Sequence, residues 1–409
     1  MSISPNEKNI SASFCILPWI HFNVMPDSTV IPCCISPYDD IYGDGKKQST
    51  TEIWNSEKFK DLRLKMLKGE TISGCNRCTN LECSGFRSMR QEMNSFFKSH
   101  LNLVNMTQED GSLSSVDFKY VDIRFSNLCN FKCRSCGPIL SSAWYEDSLA
   151  MFPGSTIEKK LRSVSIESPS FWRELSLLIP GAEVIYFGGG EPLISKEHYE
   201  ILSLLNAQAR HDIELRYNTN LSQLNYGNYN LSDIWSNFDK VALSISIDDI
   251  GPRAEYFRHG TKWESIEKNF DTLMRLHPKI ERYVNCTINI LNVYYLPEIY
   301  DYLISKNFIE PINFNINLLL NPDELRIDVL PAHLKKIVTI RLKKFKFKIG
   351  SINKMNPLIK DLDNIINFMN QSDKSHLLPA FKTFTCTLDK LRKENFIDIY
   401  PEMEDLLLP

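Results

Sequence analysis

Eleven cysteines constrain this chain more than any other feature, because nine of them fall in the first 136 residues, at 15, 33, 34, 75, 78, 83, 129, 133 and 136. Only Cys286 and Cys386 lie beyond. A secreted disulfide scaffold is normally short or carries an export signal. This chain has 409 residues, and Met1–Ser13 is polar without an apolar core. A reducing cytoplasmic setting is therefore expected, where clustered thiols serve metal or redox chemistry. The remaining composition is ordinary, with 43% hydrophobic and 24% charged residues. A net charge of −3 argues against a nucleic-acid partner held by bulk charge. No apolar window is long enough to span a membrane, so no membrane partner is expected.

The length predicts two or three domains. Residues 1–115 form the first, cysteine-rich unit. Cys15–Cys34 reads as a hairpin with an apolar arm at Trp19–Val24, a turn at Pro26-Asp27-Ser28 and a return arm at Thr29–Ile31. Ile53–Leu67 has helical spacing and is stopped by Gly69. Thr107–Ser115 reads as a linker. Residues 116–320 alternate between strands and helices. Strands are predicted at Tyr120–Ser126, Glu183–Phe187, Ile213–Asn218, Lys240–Ile247, Glu281–Ile290 and Asn313–Leu318, with helices at Lys196–Ala209, Trp263–Leu276 and Leu296–Lys306. Six βα units point to an α/β fold, a partial (β/α)6 barrel of the TIM type. Residues 321–409 read as a C-terminal helical extension, with helices at Ala332–Phe345, Ile359–Phe368 and Phe381–Lys393. It would cover part of the barrel or help shape a substrate pocket.

The strongest motif is Cys129-x3-Cys133-x2-Cys136, just after the first predicted barrel strand. A loop of that spacing can offer three thiolates to one face of an iron–sulfur cubane and leave one iron open. Zinc is the rival metal, but a structural zinc site normally closes with a fourth ligand, and no second pair follows at close range. Upstream, Cys15, one of Cys33 and Cys34, and the pair Cys75 and Cys78 make four thiolates, enough for a closed iron–sulfur or zinc site, with Cys83 as a spare.

The three-cysteine motif resembles the radical SAM superfamily, whose members bind a [4Fe–4S] cluster and S-adenosylmethionine (SAM) on a partial barrel. The resemblance covers residues 116–320 and implies several further contacts. Gly188-Gly189-Gly190-Glu191-Pro192 resembles the segment that meets the methionine amino group, through Gly189, Gly190, Glu191 and Pro192; on local chemistry it is a tight turn. Asn218 and Asn220 resemble a polar cofactor contact, with a polar turn as the plainer reading. Ser244, Ser246 and Asp248 alternate onto one strand face and resemble the fourth-strand motif. Arg258 resembles an arginine that holds the cofactor carboxylate, and Asn292 is carried as a pocket or structural residue. One departure is Ser135, where many members place an aromatic residue near the adenine; Phe131 is the available substitute.

The N-terminal cysteines resemble the twitch and SPASM modules that hold auxiliary [4Fe–4S] clusters, and six candidates favour one such cluster. Glu82, Arg87, Ser88, Arg90 and Asn94 follow on a helix and read first as a solvated face, while their Glu-then-Ser-x-Arg order resembles twitch-bearing relatives and implies a role near the auxiliary cluster or substrate. The resemblance implies an enzyme that cleaves SAM reductively to a 5′-deoxyadenosyl radical and abstracts hydrogen from a peptide or, second, a small carbohydrate-like molecule. A one-electron reductant such as a flavodoxin or ferredoxin would serve it. The rivals are a zinc-bearing binding scaffold and a radical SAM enzyme acting on RNA. No acid–base residue stands out; His21, His198, His211 and His259 read as structural or exposed.

Overall fold

The computed structural model describes residues 11, 13–83, 85, 87–154 and 160–407. The chain divides into two compact units, one of residues 1–126, 162–216 and 237–240, the other of residues 127–161, 217–236 and 241–409.

In the first unit, strands β1 (His21–Val24), β2 (Thr29–Ile31), β3 (Gly43–Asp44), β4 (Tyr120–Arg124) and β5 (Val184–Gly188) lie in the order β5-β4-β1-β2-β3. β4 pairs in parallel with β5 and with β1, at registers Asp122↔Tyr186 and Asn23↔Asp122. β1, β2 and β3 run antiparallel. The hairpin near the N-terminus thus continues the sheet begun by the βα repeats. Alternation puts Phe22, Val24, Val121, Ile123, Ile185 and Phe187 on one buried apolar face. The other face carries His21, Asn23, Tyr120, Asp122, Arg124 and Tyr186. The expected arm at Trp19–Val24 begins later, because Pro18 opens one helical turn at Leu17–Ile20. Ser28 makes the turn with a φ of 69°.

The helix expected over Ile53–Leu67 is two helices, Thr50–Trp54 and Glu57–Lys68. Asn55 leaves the helical path, its side chain pairing with both the N–H and the carbonyl of Leu113. Ser56 then caps the second helix by accepting from the Phe59 N–H. Gly69 closes it with a φ of 73°.

β6 (Glu214–Thr219) begins in the first unit and ends in the second. In the second unit, β7 (Val241–Ser246), β8 (Glu281–Ile288) and β9 (Phe314–Leu318) pair in parallel in that order. Helices at Trp263–Leu276 and Leu296–Ser305 follow β7 and β8. All six expected barrel strands are therefore present, and the fold is of the α/β, βα-repeat class with the cysteine-rich segment ahead of it. Helices at Ala332–Ile352, Leu358–Gln371 and Leu378–Arg392 form the C-terminal extension, and a left-handed Lys393 ends the last. Among the described residues no helix is long and apolar enough to cross a membrane.

Candidate radical SAM site

The cysteine loop of the second unit is braced from below and from the side. Asn127, at its start, donates to the Pro138 carbonyl at 3.1 Å and the Tyr145 hydroxyl at 3.0 Å. Lys132 and Cys133 pair antiparallel with His259 and Arg258. The Arg134 N–H donates to the Phe257 carbonyl and the Cys136 N–H to the Cys133 carbonyl. Trp144 Nε1 donates to that same Cys133 carbonyl at 2.9 Å.

Arg258 joins the thiols to the fourth strand. Its Nη1 lies 3.7 Å from Cys133 Sγ and its Nη2 forms a 2.7 Å ion pair with Asp248 Oδ2. Cys129 and Cys133 both contribute to the charge environment of Arg258, so the three groups share one neighbourhood. Asp248 is buried, its Oδ1 accepts from the Thr287 N–H at 2.8 Å, and its carbonyl accepts from Asn292 Nδ2 at 2.9 Å. Asn292 is thereby a brace for Asp248. The Arg258 cation is already matched by Asp248, so here it sets the position of that acid and of Cys133. Burial pushes the Cys136 thiol up to about 12 and also raises Cys133, against the pull of Arg258. Buried thiols of this kind become thiolates when a metal centre takes the place of their protons.

Beside this loop lies a small cleft lined by Phe131, Asn220, Ser246, Asp249, Arg258 and Trp263. Four residues singled out in the sequence meet there: Phe131, Asn220, Ser246 and Arg258. Ser246 Oγ donates to Asn218 Oδ1 at 3.1 Å and Asn220 Nδ2 donates to Asn130 Oδ1 at 3.0 Å. Ser244 and Ser246 are half-buried on the strand face opposite buried Leu243 and Ile245.

Gly188–Pro192 belongs to the first unit and is the tight turn its local chemistry predicts. Gly189 has a φ of 109°, the Gly190 N–H donates to the Ser126 carbonyl, and Glu191 Oε1 accepts from the Leu193 N–H at 3.1 Å.

Among the N-terminal thiols, Cys15, Cys33, Cys75 and Cys78 form one group. Cys15 is raised well above the usual thiol range, first by burial and then by Cys33, Cys75 and Cys78. Burial, with Cys33 and Cys78, pushes Cys75 up to about 12. For Cys34 the largest influence after burial is Asp122, with Cys33 next. Cys83 is exposed at the end of the helix Asn76–Cys83.

The stretch that reads as a solvated face is largely buried structure. Arg90 pairs with Glu82 and donates to the Ser13 carbonyl at 3.2 Å. Ser88 is buried, bonds Glu82 and caps the helix Met89–Phe96. Asn94 bonds both residues that flank Cys15, and only Arg87 is exposed. Cysteine spacing could not reveal these supports; the Glu-then-Ser-x-Arg order was the available signal.

His21 and His198 are buried and pushed down to about 3 by burial, so both are neutral structural groups. His211 bonds Asn206, and His259 pairs with Glu394.

Comparison with known families follows the same residues. The family profile "Radical SAM superfamily" matches residues 123–303, and "Iron-sulfur cluster-binding domain" (SPASM) matches residues 15–79. The chain carries a radical SAM domain over residues 123–303. Its radical SAM domain implies a [4Fe–4S] cluster and SAM, and its SPASM domain implies auxiliary iron–sulfur binding. Solved structures similar to it include anSMEcpe with bound AdoMet, at 18% identity and a TM-score of 0.39, with 58% of this chain and 59% of that one covered. Streptococcus suis SuiB bound to precursor peptide SuiA is 11% identical with a TM-score of 0.38, covering 70% and 63%. TYW1 with a lysine–pyruvate adduct bound is 13% identical with a TM-score of 0.29, covering 58% and 72%. The chain thus spans about three fifths of the length of the first of these. No curated protein matches it.

The donor sets fit the implied groups. Three thiols with a neighbouring guanidinium suit an incompletely ligated cubane, and four grouped thiols suit a closed one. Among the described residues no three His, Cys, Asp or Glu side chains are set to hold a single metal ion.

Proposed function

We propose that this radical SAM enzyme holds its core cluster on Cys129, Cys133 and Cys136 and one auxiliary cluster on Cys15, Cys33, Cys75 and Cys78, and that it abstracts hydrogen from a peptide. The single observation that carries the core assignment is the Arg258 bridge between Cys133 and Asp248. Cys129, Cys133 and Cys136 would hold a [4Fe–4S] cluster, which would supply the electron for reductive cleavage of SAM to methionine and a 5′-deoxyadenosyl radical.

This chain's residues do the rest. Phe131 offers an apolar face to the adenine, and Asn220 and Ser246 offer polar atoms at the same cleft. Gly189 and Gly190 let backbone approach the methionine end closely, and Glu191 carries the anionic charge that suits its ammonium. Ser244 and Asn218 complete the polar strand ends, with Pro192 fixing the turn. Asp248, held by Arg258, Thr287 and Asn292, keeps the fourth strand's end in place. Peptide as substrate class rests on the pairing of an SPASM module with this domain. Residues 1–115, 116–320 and 321–409 are the working division into auxiliary, core and extension segments, and a cytoplasmic location with a flavodoxin or ferredoxin as electron source fits the chemistry.

The test is anaerobic reconstitution followed by iron and sulfide analysis and an assay for 5′-deoxyadenosine with SAM and dithionite. About eight irons per chain, and deoxyadenosine that vanishes with Cys133→Ala, is the expected result. Absence of SAM cleavage by an iron-loaded protein would overturn the reading. Peptide as substrate would fail if candidate peptides gave no mass change while deoxyadenosine still formed.

A further inference from the structure

The cluster loop carries a charge system that neither matched domain contains in full, because Asp389, Arg392 and Glu394 belong to it. Arg134 sits between Cys133 and Cys136 with its side chain 1% exposed. Its Nη2 meets Asp389 Oδ1 at 2.6 Å and Glu394 Oε2 at 2.7 Å, and its guanidinium lies 3.7 Å over the Tyr256 ring. Tyr256 donates to Asp389 at 2.7 Å, and His259 Nδ1 reaches the other Glu394 oxygen at 2.6 Å. On the other side of the loop, Asp147 pairs with Lys132 at 3.0 Å and with Arg392 Nε at 2.9 Å.

Arg392 is the member left most incomplete: its side chain is 1% exposed, yet among the described residues both Nη1 and Nη2 are buried without a hydrogen-bond partner, where Arg134 leaves only Nη1 so. Leaving such donors unmatched costs roughly 1–3 kcal/mol each, more when charged. The guanidinium lies 4.9 Å over Trp144, whose Nε1 holds the Cys133 carbonyl, and Arg392 is among the charges that act on Cys133. The three acids Asp147, Asp389 and Glu394 are already shared among Lys132, Arg134, Arg392 and His259. What remains within reach of the Arg392 charge is Cys133, a thiol that the implied cluster would use.

We propose that Arg392, on the C-terminal helix, is a positioning residue of the core cluster: its buried cation stabilises the reduced cluster at Cys133, and Asp147 sets how much of that charge the cluster feels. The inference rests on the cluster assignment above and extends the core site to a segment beyond residue 303. A buried positive charge favours the state with one more electron, so it raises the reduction potential.

The experiment uses the full chain with clusters reconstituted, comparing Arg392→Gln, Arg392→Lys and Asp147→Asn with the parent protein. Iron and sulfide content, thermal unfolding and the core cluster's midpoint potential from EPR-monitored titration are read for each. Arg392→Gln is expected to keep its iron and to lower the one-electron reduction constant about tenfold, which is 59 mV. Arg392→Lys should restore most of that. Asp147→Asn, which removes the acid that offsets Arg392, should move the potential the opposite way. Should Arg392→Gln not fold, the Asp147→Asn shift carries the test alone. Parent-like potentials in the folded variants, with only lower unfolding temperatures, would overturn the proposal and leave Arg392 a structural residue. A parent protein without iron at these cysteines would instead sink the cluster assignment itself.

Discussion

Glu82 and Arg90 meet in a two-point ion pair, Oε1 at 3.1 Å from Nε and Oε2 at 2.5 Å from Nη2. Arg90 also holds the Ser13 carbonyl, and Asn94, one turn on, holds the Phe14 carbonyl and the Ile16 N–H, each at 2.8 Å. Cys15 lies between those two residues. The pair therefore fixes a thiol to which it makes no bond.

Arg90→Ala should lower the auxiliary iron while sparing the core cluster. Removing the guanidinium leaves Glu82 and the Ser13 carbonyl short of a donor, at a cost of about 2–3 kcal/mol. Iron analysis should fall from about eight toward about four per chain, with deoxyadenosine formation retained. Asn94→Ala should do the same through the peptide on either side of Cys15. Unchanged iron in both variants would mean that Cys15 is held by other contacts.

Cys33 and Cys34 should separate cleanly on substitution. Cys33 influences both Cys15 and Cys75, whereas Cys34 is influenced most, after burial, by Asp122. Cys33→Ala should lose about four irons and Cys34→Ala about none. The reverse pattern would exchange their roles.

How far the residues alone reveal this arrangement follows from the range of each interaction. The strand that starts at Tyr120, expected to run to Ser126 but ending at Arg124, and the whole of the helix Trp263–Leu276 were legible, because hydrophobic periodicity is a local property. So was the cysteine loop, since its three cysteines lie within eight residues. The break at Asn55 was hidden, because it depends on Leu113, 58 residues away. The role of Arg134 was hidden for the same reason: its partners Asp389 and Glu394 lie 255 and 260 residues along the chain. The polar face of Asp122 and Arg124 went unread because Tyr120–Arg124 scans as an ordinary strand, and its partners Asn23 and Tyr186 come from separate segments.

Gly189→Ala should weaken SAM binding at least tenfold and leave core iron in place. At a φ of 109° an added Cβ would sit 3.0 Å from the Ser126 carbonyl oxygen and 3.1 Å from Arg124 Cα, both backbone atoms that cannot swing aside. The backbone conformation alone costs about 1–3 kcal/mol for a residue other than glycine. The turn must shift, and with it Gly190 and Glu191. Equilibrium dialysis of the reconstituted protein against SAM measures this, and parent-like affinity would remove the turn from the cofactor site.

Asp122 should make the folded state lose stability as the solution turns from acid to neutral. Its side chain is fully buried beside Asn23, with Tyr120 and Arg124 on its own strand, Tyr186 on the next and Cys34 nearby. Burial raises its pKa from 3.8 to about 6, even though Arg124 opposes the rise. A folded pKa above the unfolded one means the native state holds the proton more tightly. The contribution is therefore complete below about pH 4 and lost as pH rises through about 6. At about 1.4 kcal/mol per pH unit, it amounts to about 3 kcal/mol. Asp122→Asn keeps an oxygen to accept from Asn23 Nδ2 and cannot ionise. The variant should gain stability over the parent at pH 8 and show no such gain at pH 4, measured by anaerobic thermal unfolding of the cluster-loaded proteins. A gain of equal size at both pH values would show that the carboxyl is not the titrating group.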